Sequence, residues 1–139
     1  RRCVGRTGSS PRADATIAHA RTMLDAVESG QLALSAAEPE LTTTLAESQR
    51  LVSSSMTLSS LHARHAAAAG QWSEAERWLS EGSAWQRGAG EQADDLLTLA
   101  AVRTGQGRAD EAADARSRSA TLWPDNPRLA YLRPEVTAG

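Results

Sequence analysis

Apolar residues recur every three or four positions along most of this chain, and no useful length alternates with period two. That spacing marks one face of an α-helix rather than a strand. Ile17, Ala20, Leu24 and Val27 form such a face behind Ser10-Pro11, a pair suited to a cap and a first turn. The pattern predicts a helix over 11–29, stopped by Gly30. Gln31–Glu38 is apolar-rich and is expected to end or kink at Pro39. Leu41, Leu45, Ser48 and Val52 predict a helix over 40–53. The serines at 53–55 read either as a turn or as a weak point inside one longer helix. Leu58, Leu61 and His65 predict a helix over 56–69 that Gly70 ends. Ser73 with Glu76 has capping-box spacing and opens a helix over 73–86. After a loop at 87–90, Leu96, Leu99, Ala100 and Arg103 place a helix over 91–104, broken by Gly105 and Gly107. Asp110 is positioned to cap a helix over 109–122, which Pro124 closes. One short helical turn is expected at 127–132. The fold class is therefore all-α, with about six helices on short loops.

Two stretches repeat. Gly70–Trp85, GQWSEAERWLSEGSAW, and Gly107–Pro124, GRADEAADARSRSATLWP, share the pattern Gly-x-x-[Ser/Asp]-Glu-Ala ahead of a helical run. Ala75 and Ala112 stand 37 residues apart in register. A fixed period of this size, with one helix–turn–helix unit per copy, signals an α-solenoid.

On these residues the stretch 56–124 resembles two tetratricopeptide (TPR) repeats. Leu96, Leu99 and Ala100 match the first-helix core, Gly107 the turn and Ala112 the close helix contact; Trp123-Pro124-Asp125-Asn126 is similar to the terminal signature. Ala63, Gly70, Trp72 and Ala75 match in the other copy. Departures are Ala109 in place of an aromatic, Gly82 in place of an alanine, and the missing final proline of the first copy. The resemblance implies a right-handed α–α superhelix with repeats at 56–90 and 91–126. A degenerate helix pair at 11–55 and a C-terminal tail at 127–139 complete one domain, 11–139, behind a disordered basic tail at 1–10. The family's first helices line a concave groove. That places Thr57, Ser60, Arg64, Ala67 and Ala68 on this wall, with Asp94, Leu97, Ala101 and Thr104 from the next repeat. Arg64 and Asp94 are its charged marks. The chain has no Lys, and Asp94 would repel a carboxylate, so a clamp for acidic chaperone tails is not expected. The implied function is a non-catalytic protein–protein interaction module that binds a peptide or helix in the groove, as part of a larger bacterial regulatory or assembly protein. The alternative is a scaffold element that homo-oligomerises.

Composition narrows the rest. A net charge of −2 gives no electrostatic case for nucleic acid or an anionic membrane. No apolar run approaches the roughly 20 residues that span a bilayer. The opening RRCVGRTGSSPR has neither a Met nor an apolar segment, and reads as an excised or processed end rather than a secretory leader. Exclusive use of Arg over Lys, with heavy use of Ala, points to a GC-rich genome, and the expected location is cytoplasmic. Cys3 is the single cysteine, so no intrachain disulfide forms. His62 and His65 share a helix face but lack two further zinc ligands. Glu74, Glu76 and Glu81, and Asp110, Glu111 and Asp114, fall in a convex helix's wet face or first turn, where acids complement the dipole. Trp72, Trp78, Trp85 and Trp123 are expected to fill gaps between helices, and an exposed one would mark a partner surface. Gly105-Gln106-Gly107 lies between helices and is no phosphate loop, and no serine elbow occurs. No enzyme activity, cofactor or metal is expected.

Overall fold

A computed structural model describes residues 11–52, 55–82 and 88–132. The basic tail, the Ser10 cap, Cys3, Trp85 and residues 133–139 lie outside the described residues. Within them 82% of positions are helical and no strand occurs. The helices are α1 (Pro11–Glu28), α2 (Leu34–Leu51), α3 (Met56–Ala68), α4 (Trp72–Gly82), α5 (Ala89–Gly105), α6 (Ala109–Leu122) and a short α7 (Arg128–Tyr131).

The helices pack as consecutive pairs, α1 with α2, α3 with α4 and α5 with α6. Each pair is closed by the same turn. Gly30, Gly70 and Gly107 adopt φ of 83°, 75° and 78°, the left-handed region that glycine enters without a Cβ clash. Each turn repeats two hydrogen bonds. Gly30 N donates to Val27 O and Gln31 N to Ala26 O; Gly70 N donates to Ala67 O and Gln71 N to Ala66 O; Gly107 N donates to Thr104 O and Arg108 N to Arg103 O. This is the Schellman stop, which satisfies carbonyls that a helix end leaves open. Links this short between helices in contact turn the chain back on itself. The first members also meet one another, α1 against α3 and α3 against α5, and α7 touches α1.

The core is small-grained. Its leucine-rich part joins α1, α2 and α3 through Met23, Leu24, Leu41, Leu45, Leu58 and Leu61. Toward the C-terminus alanine takes over: Ala66, Ala75 and Val102 form a second cluster with Ala67 and Trp72 packed on it. The register alanines Ala63, Ala75, Ala100 and Ala112 are all buried. Small side chains there let two backbones approach closely. Ser119 is fully buried among them and donates from Oγ to Ala93 O at 2.7 Å, tying α6 to α5.

Three local expectations are corrected. Pro39 does not end a segment; it sits inside α2, which runs from Leu34 to Leu51. The proline forfeits one backbone bond, but Ala37, Leu41, Thr44, Leu45 and Ser48 form one buried stripe across it, and that burial outweighs the loss. Asp110 is not a cap: α6 begins at Ala109, with Arg108 at the cap position and no side-chain cap bond. Ser73 likewise falls inside the first turn of α4, and the Glu76 carboxylate is taken up by Arg103 and Gln106. Among the described residues a side-chain cap forms at Ser55, whose hydroxyl accepts from Leu58 N at 3.2 Å and opens α3.

The alanine contacts are testable. Ala75→Leu and Ala112→Leu insert a side chain where relative exposures are 0% and 3%. Overpacking of this kind costs about 1–3 kcal/mol. Each variant should melt at least roughly 4 °C below the parent in a calorimetric scan. Unchanged midpoints for both would mean that the helices do not cross closely there.

Candidate functional site

Three elements converge on one carboxylate, and a fourth holds one of its partners. Glu28 is the last residue of α1, and its side chain is 7% exposed. Arg64 of α3 donates from Nε to Glu28 Oε2 (2.9 Å) and from Nη2 to Oε1 (2.8 Å). Arg128, the first residue of α7, donates from Nε to Oε1 (2.9 Å) and from Nη2 to Oε2 (3.0 Å). Each oxygen of Glu28 thus receives two guanidinium hydrogens. The arginines have further acceptors. Arg64 Nη2 reaches Asp25 Oδ1 (2.7 Å), and Arg128 reaches Thr98 Oγ1 (2.8 Å), Asp94 O (3.0 Å) and Asp94 Oδ1 (3.2 Å). Asn126 holds the arrangement from below α7: its Nδ2 donates to Asp94 Oδ1 (2.9 Å) and its Oδ1 accepts from Arg128 N (3.1 Å). Arg116 fixes the far end of α7 by donating to Leu129 O and Leu132 O.

The electrostatics follow from this crowding. Burial alone pushes the Glu28 carboxyl up, but the Arg128 and Arg64 guanidiniums pull it below the ordinary carboxylate range. Burial likewise pushes Arg64 down, and Glu28 and Asp25 raise it well above its usual value. Glu28 is therefore a buried anion and both arginines are buried cations. Such a group is costly to desolvate and costlier still to strip of its partner.

Beside this cluster opens a cleft of about 580 Å³. Val27 of α1, Ala67 and Ala68 of α3, Ala101, Thr104 and Gly105 of α5, the Trp72 ring and Leu132 line it, with Glu28, Arg64, Thr98 and Arg128 as its polar part. The space exists because the α3 and α5 residues are small. Trp72 lies so close against Gly105 that a Cβ there would overlap the indole. Glycine at 105 is what lets the ring fold down onto α5.

The groove residues expected from the sequence separate into three groups. Ala67, Ala68, Ala101 and Thr104 line the cleft, and so does Arg64, which is 5% exposed and held by its own chain's acids. Thr57, Ser60 and Asp94 border a different, small pocket of about 50 Å³, together with Arg21, Glu91 and Asp95, and Arg64 and Arg128 border both. There Ser60 donates to Asp95 Oδ1 at 2.7 Å. Leu97 is fully buried in the core and forms no wall. The sequence reading passed over Glu28, Gly105 and Arg128 as site residues and treated Trp72 as gap-filling. One signal was available. An acid in the last turn of a helix opposes the macrodipole, and α1 ends on Glu28 with no basic residue in that turn.

The remaining candidates are engaged elsewhere. His62 stacks on Trp78 with ring centroids 4.2 Å apart and meets Gln49 Oε1 at 3.3 Å. Burial, then His65 and Arg77, lower its pKa. His65 meets Glu38 at 2.9 Å and His19 meets Glu40 at 2.6 Å. Glu74 and Glu81 pair with Arg77, and Glu76 and Glu111 with Arg103. No group of three potential metal ligands occurs among the described residues, and no described helix is long and apolar enough to cross a membrane.

Glu28→Gln leaves two buried guanidiniums without their shared anion. It should lower unfolding free energy by about 3–5 kcal/mol in urea titration. The pH dependence has a definite sign. The folded carboxyl has the lower pKa, so the unfolded chain binds more protons below the ordinary value of 4.5. The stability from Glu28 is complete above that pH and is lost as pH falls through the folded value. In the glutamine variant the acid-side slope should be shallower. An equal slope and a loss under roughly 1 kcal/mol, the worth of an exposed pair, would refute the buried network.

No protein-family model, curated protein or solved structure matches this chain.

Proposed function

We propose that this chain is a non-catalytic binding module of the helical-repeat kind, with its helix pairs stacked as a short right-handed superhelix, and that it holds a peptide or helix of another protein. The observation that carries this reading is the cleft of about 580 Å³ on the side where α1, α3 and α5 succeed one another. Its apolar walls come from three different helix pairs, and its polar floor is fixed by the Glu28 network. A recess of this size with apolar walls and a few placed polar groups has the general character of a binding site. Three identical Schellman turns at Gly30, Gly70 and Gly107 support counting α1 and α2 as a repeat like the other two. The long acid–arginine pairs on α4 and α6 lie in solvent, where they serve solubility rather than acid–base chemistry.

Self-assembly through the ends is the weaker reading. It calls for leucine-rich exposed faces on the terminal helices. Among the described residues Leu122 is the one exposed large hydrophobic, at 38%, and α6 presents Asp, Arg and Ala outward.

Ala101→Trp fills the cleft from α5 without touching the Glu28 cluster's charges. The parent chain should capture discrete protein partners by cross-linking and mass spectrometry, and the variant should lose them while keeping its helical circular dichroism. Light scattering should give a monomer. Capture that survives Ala101→Trp, or a dimer at micromolar concentration, would move the function away from the cleft.

A further inference from the structure

The charge state of the cleft restricts what can enter it. The Glu28 carboxylate is fully subscribed, since each of its oxygens already accepts two guanidinium hydrogens. A lysine or arginine brought into the cleft therefore finds no free carboxylate on its wall. An acidic group fares no better. Arg128 spends all three of its nitrogens on Glu28, Asp94 and Thr98. Arg64 is neutralised by Glu28 and Asp25. Either charge would give up its hydration with no unpaired counter-charge to replace it, a strongly unfavourable exchange.

Besides the Thr98 and Thr104 hydroxyls on the wall, one guanidinium nitrogen is left over. Arg64 engages its acids through Nε and Nη2, and among the described residues Nη1 has no hydrogen-bond acceptor. The side chain is 5% exposed and borders both the cleft and the smaller pocket. A buried N–H without an acceptor calls for one, whether water or a ligand oxygen. Around it the surface is apolar: Val27, Ala67, Ala68, Ala101, the Trp72 ring and Leu132. The volume of about 580 Å³ lies within the roughly 300–1,000 Å³ of small-ligand sites, room for several side chains rather than one.

From this complementarity we infer that the cleft is selective for an uncharged apolar segment of a protein partner, two or three aliphatic side chains packed on Trp72, with one backbone carbonyl of that segment accepting from Arg64 Nη1. The inference rests on the peptide-docking reading above and specifies its chemistry. Affinity comes from the apolar walls. The arginine supplies register, because a single carbonyl can be placed against it. Aspartate, glutamate, lysine and arginine are rejected from the central positions and tolerated at the flanks.

A phage-displayed library of random dodecapeptides, panned on the whole chain and counter-selected on Ala101→Trp, tests this. The enriched sequences should share a short uncharged core of Leu, Val, Ile or Met. In calorimetry, Asp or Lys placed in that core of a synthetic peptide should weaken binding roughly tenfold or more. Replacing core amides one at a time by esters, whose carbonyls are poorer acceptors, should weaken binding at a single position. Enrichment of peptides with acidic or basic cores that still depend on the open cleft would overturn the selectivity and leave peptide docking standing. Equal tolerance of esters at every position would remove the role given to Arg64. Absence of any cleft-dependent enrichment would overturn both this inference and the docking reading on which it rests.

Discussion

A carboxylate shared between two buried guanidiniums holds the open side of this helical array together. Glu28 closes α1, Arg64 comes from α3 and Arg128 from α7, and Arg128 in turn grips α5 through Asp94 and Thr98. Residues 100 positions apart in sequence thus meet on one group. Helix contacts run mainly from each pair to the next, and no comparable contact joins the first pair to the last. The network supplies that long-range connection. It also explains why α7 is ordered at all: four residues of helix cannot stand alone in water, and here Arg128, Asn126 and Arg116 fix both of its ends.

The cleft is the other face of the same economy of side chains. Where α3 and α5 approach, the chain carries Ala67, Ala68, Ala101 and Gly105. These residues are too small to fill the space between the helices, and Trp72 covers only one side of it. A leucine at any of the three alanines would extend the core and remove the recess. The leucine-rich contact among α1, α2 and α3 carries the apolar burial instead. Stability is thereby concentrated at one end and space at the other.

Much of the framework could be read from the chain. The all-helical class follows from the 3.6-residue spacing and from glycines at the stops, and the helices expected over 11–29, 56–69, 91–104 and 109–122 fall within two residues of α1, α3, α5 and α6. The glycines are legible because their requirement is local: a left-handed residue must stand where the helix reverses. Pro39 misled because its local cost was set against a burial stripe that only the assembled pair reveals. Ser73 and Asp110 misled because capping spacing recurs inside first turns, and Arg103 competes for the glutamate that the capping box needs. The site was less legible still. Arg64 is recognisable as a first-helix residue, but its partners, Asp25 and Glu28, both lie on α1. No spacing rule joins Glu28 to Arg128. Leu97 shares one face of α5 with Ala101 and Thr104, at i, i+4 and i+7, yet it is fully buried while they line the cleft, so the face is covered at one level and open a turn further on.

The claim on which the account turns is that one carboxylate serves two arginines at once. Side-chain Nε–H groups report it directly by heteronuclear magnetic resonance. At neutral pH the Arg64 and Arg128 Nε–H signals should stand apart from those of exposed arginines such as Arg12 and Arg118, with slow solvent exchange. In Glu28→Gln both signals should move together and exchange faster. Two signals at the exposed position in the parent, or a change at one arginine that leaves the other untouched, would contradict it.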